Sequence, residues 1–165
     1  APIFVDDTPG ITLTEILAKC RRIKLEHGLS LVMIDYLQLM SSAKRTENRQ
    51  QEVSDITRSV KLLAKELNVP VLLLSQLSRA SEKRNKEDRM PVLSDLRESG
   101  SIEQDADVVI FLHRDNYYDE EADSGISKIK IAKQRNVPTG TIEMIWNGQY
   151  TRFEESDIVY EDNPI

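Results

Sequence analysis

Apolar residues recur at helical spacing over Leu13, Ile16, Leu17, Cys20 and Ile23, behind a capping-box pattern of Thr12 and Glu15. This predicts a first helix that stops at Gly28. Leu31 to Tyr36 follows as a nearly unbroken apolar run with a carboxylate, Asp35, at its end. That is the pattern of a buried parallel strand whose C-terminal end opens onto a site. Val53, Ile56, Val60, Leu63, Ala64 and Leu67 predict a longer helix, ended by Asn68 and Pro70. Val71 to Gln76 then repeats the design of the first strand and delivers Ser75 and Gln76 at its end. Ile3 to Val5 reads as another strand, running into the turn Asp6-Asp7-Thr8-Pro9-Gly10. A strand so early needs something to cover it, so the domain is expected to start upstream of Ala1.

The second half is patterned differently. Leu77 to Pro91 is charged, without apolar periodicity, and predicts a mobile surface loop. Ser94 to Asp105 predicts two short helical pieces broken at Gly100. Val108 to Leu112 reads as a further buried strand, separated by an acidic loop through Gly125 from a strand over Ile126 to Ala132. Thr141 to Trp146 and Tyr150 to Phe153 flank Asn147-Gly148, a strong hairpin signal. The expected fold class is α/β, a mostly parallel sheet flanked by helices with a C-terminal antiparallel hairpin.

Composition narrows the class. The 165 residues suit one domain with a single core. At 39% hydrophobic and 30% charged, the chain is too apolar for disorder and too polar for a membrane protein. No apolar run approaches a membrane span and the N-terminus carries no signal pattern, so a cytoplasmic location with no membrane partner is expected. The single cysteine, Cys20, falls on the apolar stripe of the first helix and reads as core. A net charge of -6 excludes nucleic-acid binding through bulk electrostatics. Any such contact must be local, and charge is indeed uneven: Arg79 to Arg89 is basic, while Asp115 to Asp123 and Glu154 to Asp162 are acidic.

Apolar strands ending in Asp35 and in Ser75-Gln76, alternating with helices, suit a nucleotide-hydrolysing sheet of the P-loop type. There the Asp helps hold a hydrated Mg2+, and a neutral amide senses the γ-phosphate or orients water. Lys133-Gln134-Arg135 would aim two cations the same way from an extended chain, which suits a polyphosphate. Each signal also fits a plainer role, a turn or helix cap at Asp35 and a solvated strand end at Lys133 to Arg135.

The most specific string is Asp95 to Asp107, Asp-Leu-Arg-Glu-Ser-Gly-Ser-Ile-Glu-Gln-Asp-Ala-Asp. Together with Asp6-Asp7-Thr8-Pro9, Ile34-Asp35-Tyr36-Leu37-Gln38-Leu39, Ser75-Gln76-Leu77-Ser78-Arg79 and Lys133-Gln134-Arg135, it closely resembles bacterial replicative DNA helicases of the DnaB type, from Phe4 to about Phe153. The resemblance implies a RecA-like P-loop NTPase fold and a homohexameric ring that uses ATP with Mg2+ to move along single-stranded DNA. It also implies primase and a helicase loader as partners. By motif position Asp35 resembles the Walker B carboxylate that holds Mg2+ through water, and Gln76 the sensor coupling nucleotide to DNA. Arg135 resembles the arginine finger that reaches a neighbouring subunit's ATP, with Lys133 beside it. Arg97, Glu98 and Gly100 match a DNA-contacting loop, and the segment near Lys44 and Arg45 looks like the other central loop. A physical reading of that acidic loop has the Gly100 N–H on phosphate while Glu98 orients Arg97.

The sequence departs from the family in one respect: it contains no G-x-x-x-x-G-K-S/T loop to cradle phosphates. That loop and the family's catalytic Glu would precede Ala1. Residues 1–165 are therefore expected to be the C-terminal portion of a helicase motor domain, an incomplete domain lacking the N-terminal primase-binding domain and unable to hydrolyse ATP alone. Two rivals remain: another RecA-type ATPase, and a non-enzymatic binding module for a loader, primase or nucleic acid.

Overall fold

The structure, a computed structural model, describes residues 2–40, 48–77, 84, 90–114 and 125–155. Where the length suggests one core, the chain divides into two compact units: residues 1–82 with 94–106, and residues 83–93 with 107–165.

In the first unit, helix α1 spans Leu13–His27. Its capping box is complete: the Thr12 hydroxyl accepts from the Glu15 backbone, and the Glu15 carboxylate accepts from the Thr12 backbone N–H at 2.8 Å. Gly28 caps the other end at φ 78°, a backbone state that disfavours side chains. Strand β1 (Val32–Ile34) pairs in parallel with β2 (Val71–Leu73), with Val32 opposite Val71 and Ile34 opposite Leu73. Between them runs α2 (Arg49–Leu67), which starts at the Asn48 side chain and ends on a left-handed Asn68. The end at Asn68 fits the sequence expectation, and the start at Asn48 was not predicted.

The core of this unit joins Ile16 and Cys20 of α1, Val32 and Ile34 of β1, Leu37 and Met40 beyond it, and Val53, Ile56, Val60, Leu63 and Leu67 of α2. Leu37 and Ile56 are the most completely buried side chains. Burial of Cys20 pushes its thiol pKa up, in keeping with a core role. Outside the core, Arg21 pairs with Glu66, and the Lys24 ammonium donates to the Leu67 carbonyl, tying α1 to the end of α2.

Three expectations need correction. Ile3 to Val5 forms no strand; Ile3 and Val5 are 84% and 88% exposed, because among the described residues no strand pairs with them. The segment is held by the Asp6 carboxylate instead, which accepts from Thr8 and Lys19. The parallel strands bury one face rather than two: the helices cover Val32 and Ile34, whereas Met33 is 60% and Leu72 45% exposed. Finally, the antiparallel share exceeds a terminal hairpin, and the parallel share is the pair β1 and β2 alone among the described strands.

That antiparallel sheet is the second unit: β3 (Val108–Arg114), β4 (Ile126–Gln134), β5 (Gly140–Asn147) and β6 (Arg152–Glu155), paired in that order. The β5–β6 hairpin occurs where Asn147-Gly148 signals it, but its loop is four residues, Gly148 to Thr151, with Thr151 at φ 51°. Trp146 packs on Phe153 across it, ring centroids 4.9 Å apart, and Arg114 lies over the Trp146 ring.

Candidate nucleotide and DNA sites

The β1–β2 pairing continues past the strands. The Leu74 N–H donates to the Ile34 carbonyl at 3.0 Å, and the Leu37 N–H donates to the Leu74 carbonyl at 2.9 Å. These two bonds hold the chain after Ile34 beside the chain after Leu73, so Asp35 and Gln76 are delivered to the same end of the parallel pair. Both side chains are exposed there. The Asp35–Tyr36 peptide is cis.

Behind Asp35 the chain makes a single 3-10 turn, Leu37–Leu39, with Leu37 wholly buried as its anchor. Gln38 on that turn reaches across to the second strand end. Its Nε2 donates to the Ser75 Oγ at 3.2 Å and to the Gln76 carbonyl at 3.3 Å, and its Oε1 accepts from the Gln76 N–H at 3.4 Å. Arg49, which pairs with Glu52 at 2.6 Å, donates to the Gln38 carbonyl. Sequence reasoning quoted Gln38 within a motif and assigned it no role. Its one signal is a polar residue set between apolar Leu37 and Leu39.

Arg97, Glu98 and Gly100 lie where two helical pieces join: a 3-10 helix over Leu93–Ser99, kinked at Leu96, and α3 over Gly100–Asp105. The break expected at Gly100 is not an interruption: the helix type changes there, and the kink lies earlier, at Leu96. The join is anchored on both sides, by buried Asp95 and Leu96 before it and by Ile102 packed on the core after it. The Thr57 hydroxyl of α2 also donates to the Asp105 carboxylate at 3.0 Å. In the sequence Asp105 belongs to the Asp95 to Asp107 string without a role of its own, and Thr57 carries no signal. Lys44 and Arg45 lie outside the described residues, as does most of the basic segment from Arg79 to Arg89.

Lys133 and Arg135 belong to the second unit. Lys133 is on β4 opposite Val109, while Arg135 has left the strand and pairs through its Nε with Asp107 at 3.1 Å, both side chains 55% exposed. The ladder carries a bulge between them and the rest of β4: Ile110 faces Ile131, yet Val109 faces Lys133, so Ala132 is the extra residue. Simple alternation would group Lys133 with Ile129 and Ile131. The bulge instead gives it the face of Lys128 and Lys130, which stand opposite His113 and Phe111.

The chain is similar to known proteins along most of its length. Residues 1–155 match the sequence family described as the DnaB-like helicase C-terminal domain. The chain is 56% identical over 156 residues to the replicative DNA helicase DnaB of Leifsonia xyli, covering 94% of this chain and 34% of that one. It is 56% identical over 167 residues to that of Geobacillus stearothermophilus, covering 100% of this chain and 36% of the relative. It thus spans about a third of the length of these relatives. Among solved structures, a DnaB-like replicative helicase described with its interactions with primase superposes with a TM-score of 0.86 at 44% identity, over 92% of this chain and 36% of that one. A solved ATPase domain superposes with a TM-score of 0.82 at 45% identity, over 88% of this chain and 52% of its own.

Proposed function

The chain belongs to the DnaB-like helicase C-terminal domain family, and from that premise we propose that it is the C-terminal portion of the RecA-like motor of a replicative DNA helicase, working in the bacterial cytoplasm. The observation that supports this reading best is the shared end of β1 and β2, where Asp35 and Gln76 emerge together, held by main-chain bonds rather than by chance of side-chain rotamer. In the complete protein a homohexameric ring would hydrolyse ATP with Mg2+ and move along single-stranded DNA. Primase and a loader would be its protein partners. The sequence holds no phosphate-cradling loop, so the 165-residue chain alone would not hydrolyse ATP.

The donor set at Asp35 fits Mg2+. One exposed carboxylate is a hard oxygen ligand, and among the described residues no group of three or more ligating side chains gathers anywhere. A Mg2+ here would draw its other ligands from water and nucleotide phosphates, as this reluctantly dehydrated ion commonly does. Its chemistry would be to neutralise charge on the phosphates. Gln76, a neutral amide with both donor and acceptor, would contact the terminal phosphate or an attacking water from the adjacent strand end. Arg135 would reach a neighbouring subunit's nucleotide, exchanging its exposed Asp107 partner for phosphate oxygens, a pairing that guanidinium geometry favours. Arg97, Glu98, Gly100, Lys44 and Arg45 would line the DNA path. A few local contacts suffice there, which reconciles DNA binding with a net charge of -6.

The test is ATP hydrolysis by the complete protein with and without single-stranded DNA, comparing the native sequence with Arg135→Ala. A trans-acting arginine is worth about 10^3-fold or more in kcat. We expect DNA-stimulated hydrolysis to fall by that order, with partial recovery when the variant is mixed into rings with a phosphate-loop variant. Hydrolysis indifferent to both DNA and Arg135 would favour a different ATPase on this fold.

A further inference from the structure

We propose that Gln38 is a positioning residue that couples the Asp35 strand end to the Gln76 strand end, by clamping the Gln76 peptide with its side-chain amide. The idea rests on the proposed function for its consequence and on geometry for its existence. β2 ends as a regular strand at Leu73, and the last main-chain bonds across the pair involve Leu74. Beyond that point the Gln76 peptide has left the ladder. The Gln38 amide takes the place of the next rung: a primary amide presents one donor and one acceptor side by side, and here they meet the carbonyl and the N–H of the same residue. A third bond to the Ser75 Oγ fixes the approach. At 3.2 to 3.4 Å each bond is long and individually weak, so the clamp works by number.

The other end of Gln38 is stiff. Its backbone sits in the 3-10 turn between buried Leu37 and the half-turn to buried Met40, three residues from Asp35. A displacement of the Asp35 segment on nucleotide binding would therefore move the amide and, through it, the Gln76 peptide. The sensor's orientation would then change with the Asp35 segment. A glutamine suits this task better than a charged residue, because it can both donate and accept while leaving the site's net charge unaltered.

The experiment uses the complete protein with Gln38→Leu, which keeps the bulk and removes all three bonds, and Gln38→Glu, which keeps the acceptor and loses both donations. Three readouts are taken: amide exchange at Gln76, KM for ATP, and the ratio of hydrolysis with single-stranded DNA to hydrolysis without. For Gln38→Leu we expect exchange at Gln76 about tenfold faster, KM for ATP changed by less than about twofold, and the stimulation ratio reduced about fivefold or more. Gln38→Glu should fall between, and it decides the matter if the leucine variant lowers the urea midpoint. In a Gln76→Ala background, Gln38→Leu should add almost nothing, because no sensor side chain remains to be positioned. Multiplying effects of the two substitutions, or an unchanged stimulation ratio beside a sharp loss in Gln76→Ala, would overturn the clamp and leave the helicase reading intact. An unstimulated native protein, or one insensitive to Gln76→Ala, would overturn both.

Discussion

Leu31 to Ile34 and Val108 to Leu112 are nearly interchangeable as strings, yet they become a three-residue parallel strand under two helices and a seven-residue antiparallel strand in a four-stranded sheet. Both alternate buried and exposed side chains. What differs is how each finds its partner. β1 meets β2 only after the whole of α2 has been laid down between them, whereas β4, β5 and β6 meet across short turns. The parallel pair depends on the helix core for its register, and the sheet largely carries its own. A site at the end of the parallel pair is therefore only as well placed as the core beneath it, while Lys133 and Arg135 depend on local ladder geometry and one bulge.

Core truncation breaks that comparison most directly. Ile56→Ala removes a side chain that is 1% exposed in the first unit, and should cost about 2 to 5 kcal/mol in urea unfolding. Leu112→Ala, at 63% exposure on β3, should stay within about 0.5 kcal/mol. Equal losses would mean that Leu112 is covered in solution.

A smaller effect sharpens the role of α1. Thr12→Ala removes the capping hydroxyl and should cost about 1 kcal/mol by the same measurement, with Thr12→Ser restoring most of it. No loss would show that the helix end is already held by the Asp6, Thr8 and Lys19 contacts.

The smallest effect is read by pH. Lys19 and the hydrogen bonds from Thr8 lower the Asp6 pKa from 3.8 to about 2. A depressed carboxylate stabilises the fold above its unfolded pKa, and that contribution disappears as pH falls from about 4 through about 2. The stability difference between the native chain and Asp6→Asn should therefore be present at neutral pH, shrink across that window and weaken with added salt, since the pair is exposed. A difference that persists below pH 2 would assign the effect to something other than the Asp6 charge.

Much of this was legible in the residues because it is local. The Thr12–Glu15 box, the stops at Gly28 and Asn68 and the hairpin beyond Asn147 are each decided within a few residues by backbone chemistry. The candidate site residues were found by motif position: Asp35 and Gln76 do lie at adjacent strand ends, as two similar apolar runs ending in polar groups would place them. The absence of a strand at Ile3 to Val5 was not legible, since a strand exists only when another chain segment satisfies its backbone.

The sequence by itself determined where helices start and stop, which stripe of α1 and α2 is apolar, and which few polar residues close the apolar strands, because those depend on neighbours along the chain. Only the tertiary structure decided that two similar runs pair in opposite senses, that Ala132 bulges and reassigns Lys133 to the other face, that Arg135 meets Asp107, and that Gln38 clasps the Gln76 peptide. Those outcomes depend on segments far apart in sequence competing for the same hydrogen-bonding groups, and no local pattern records which of them wins.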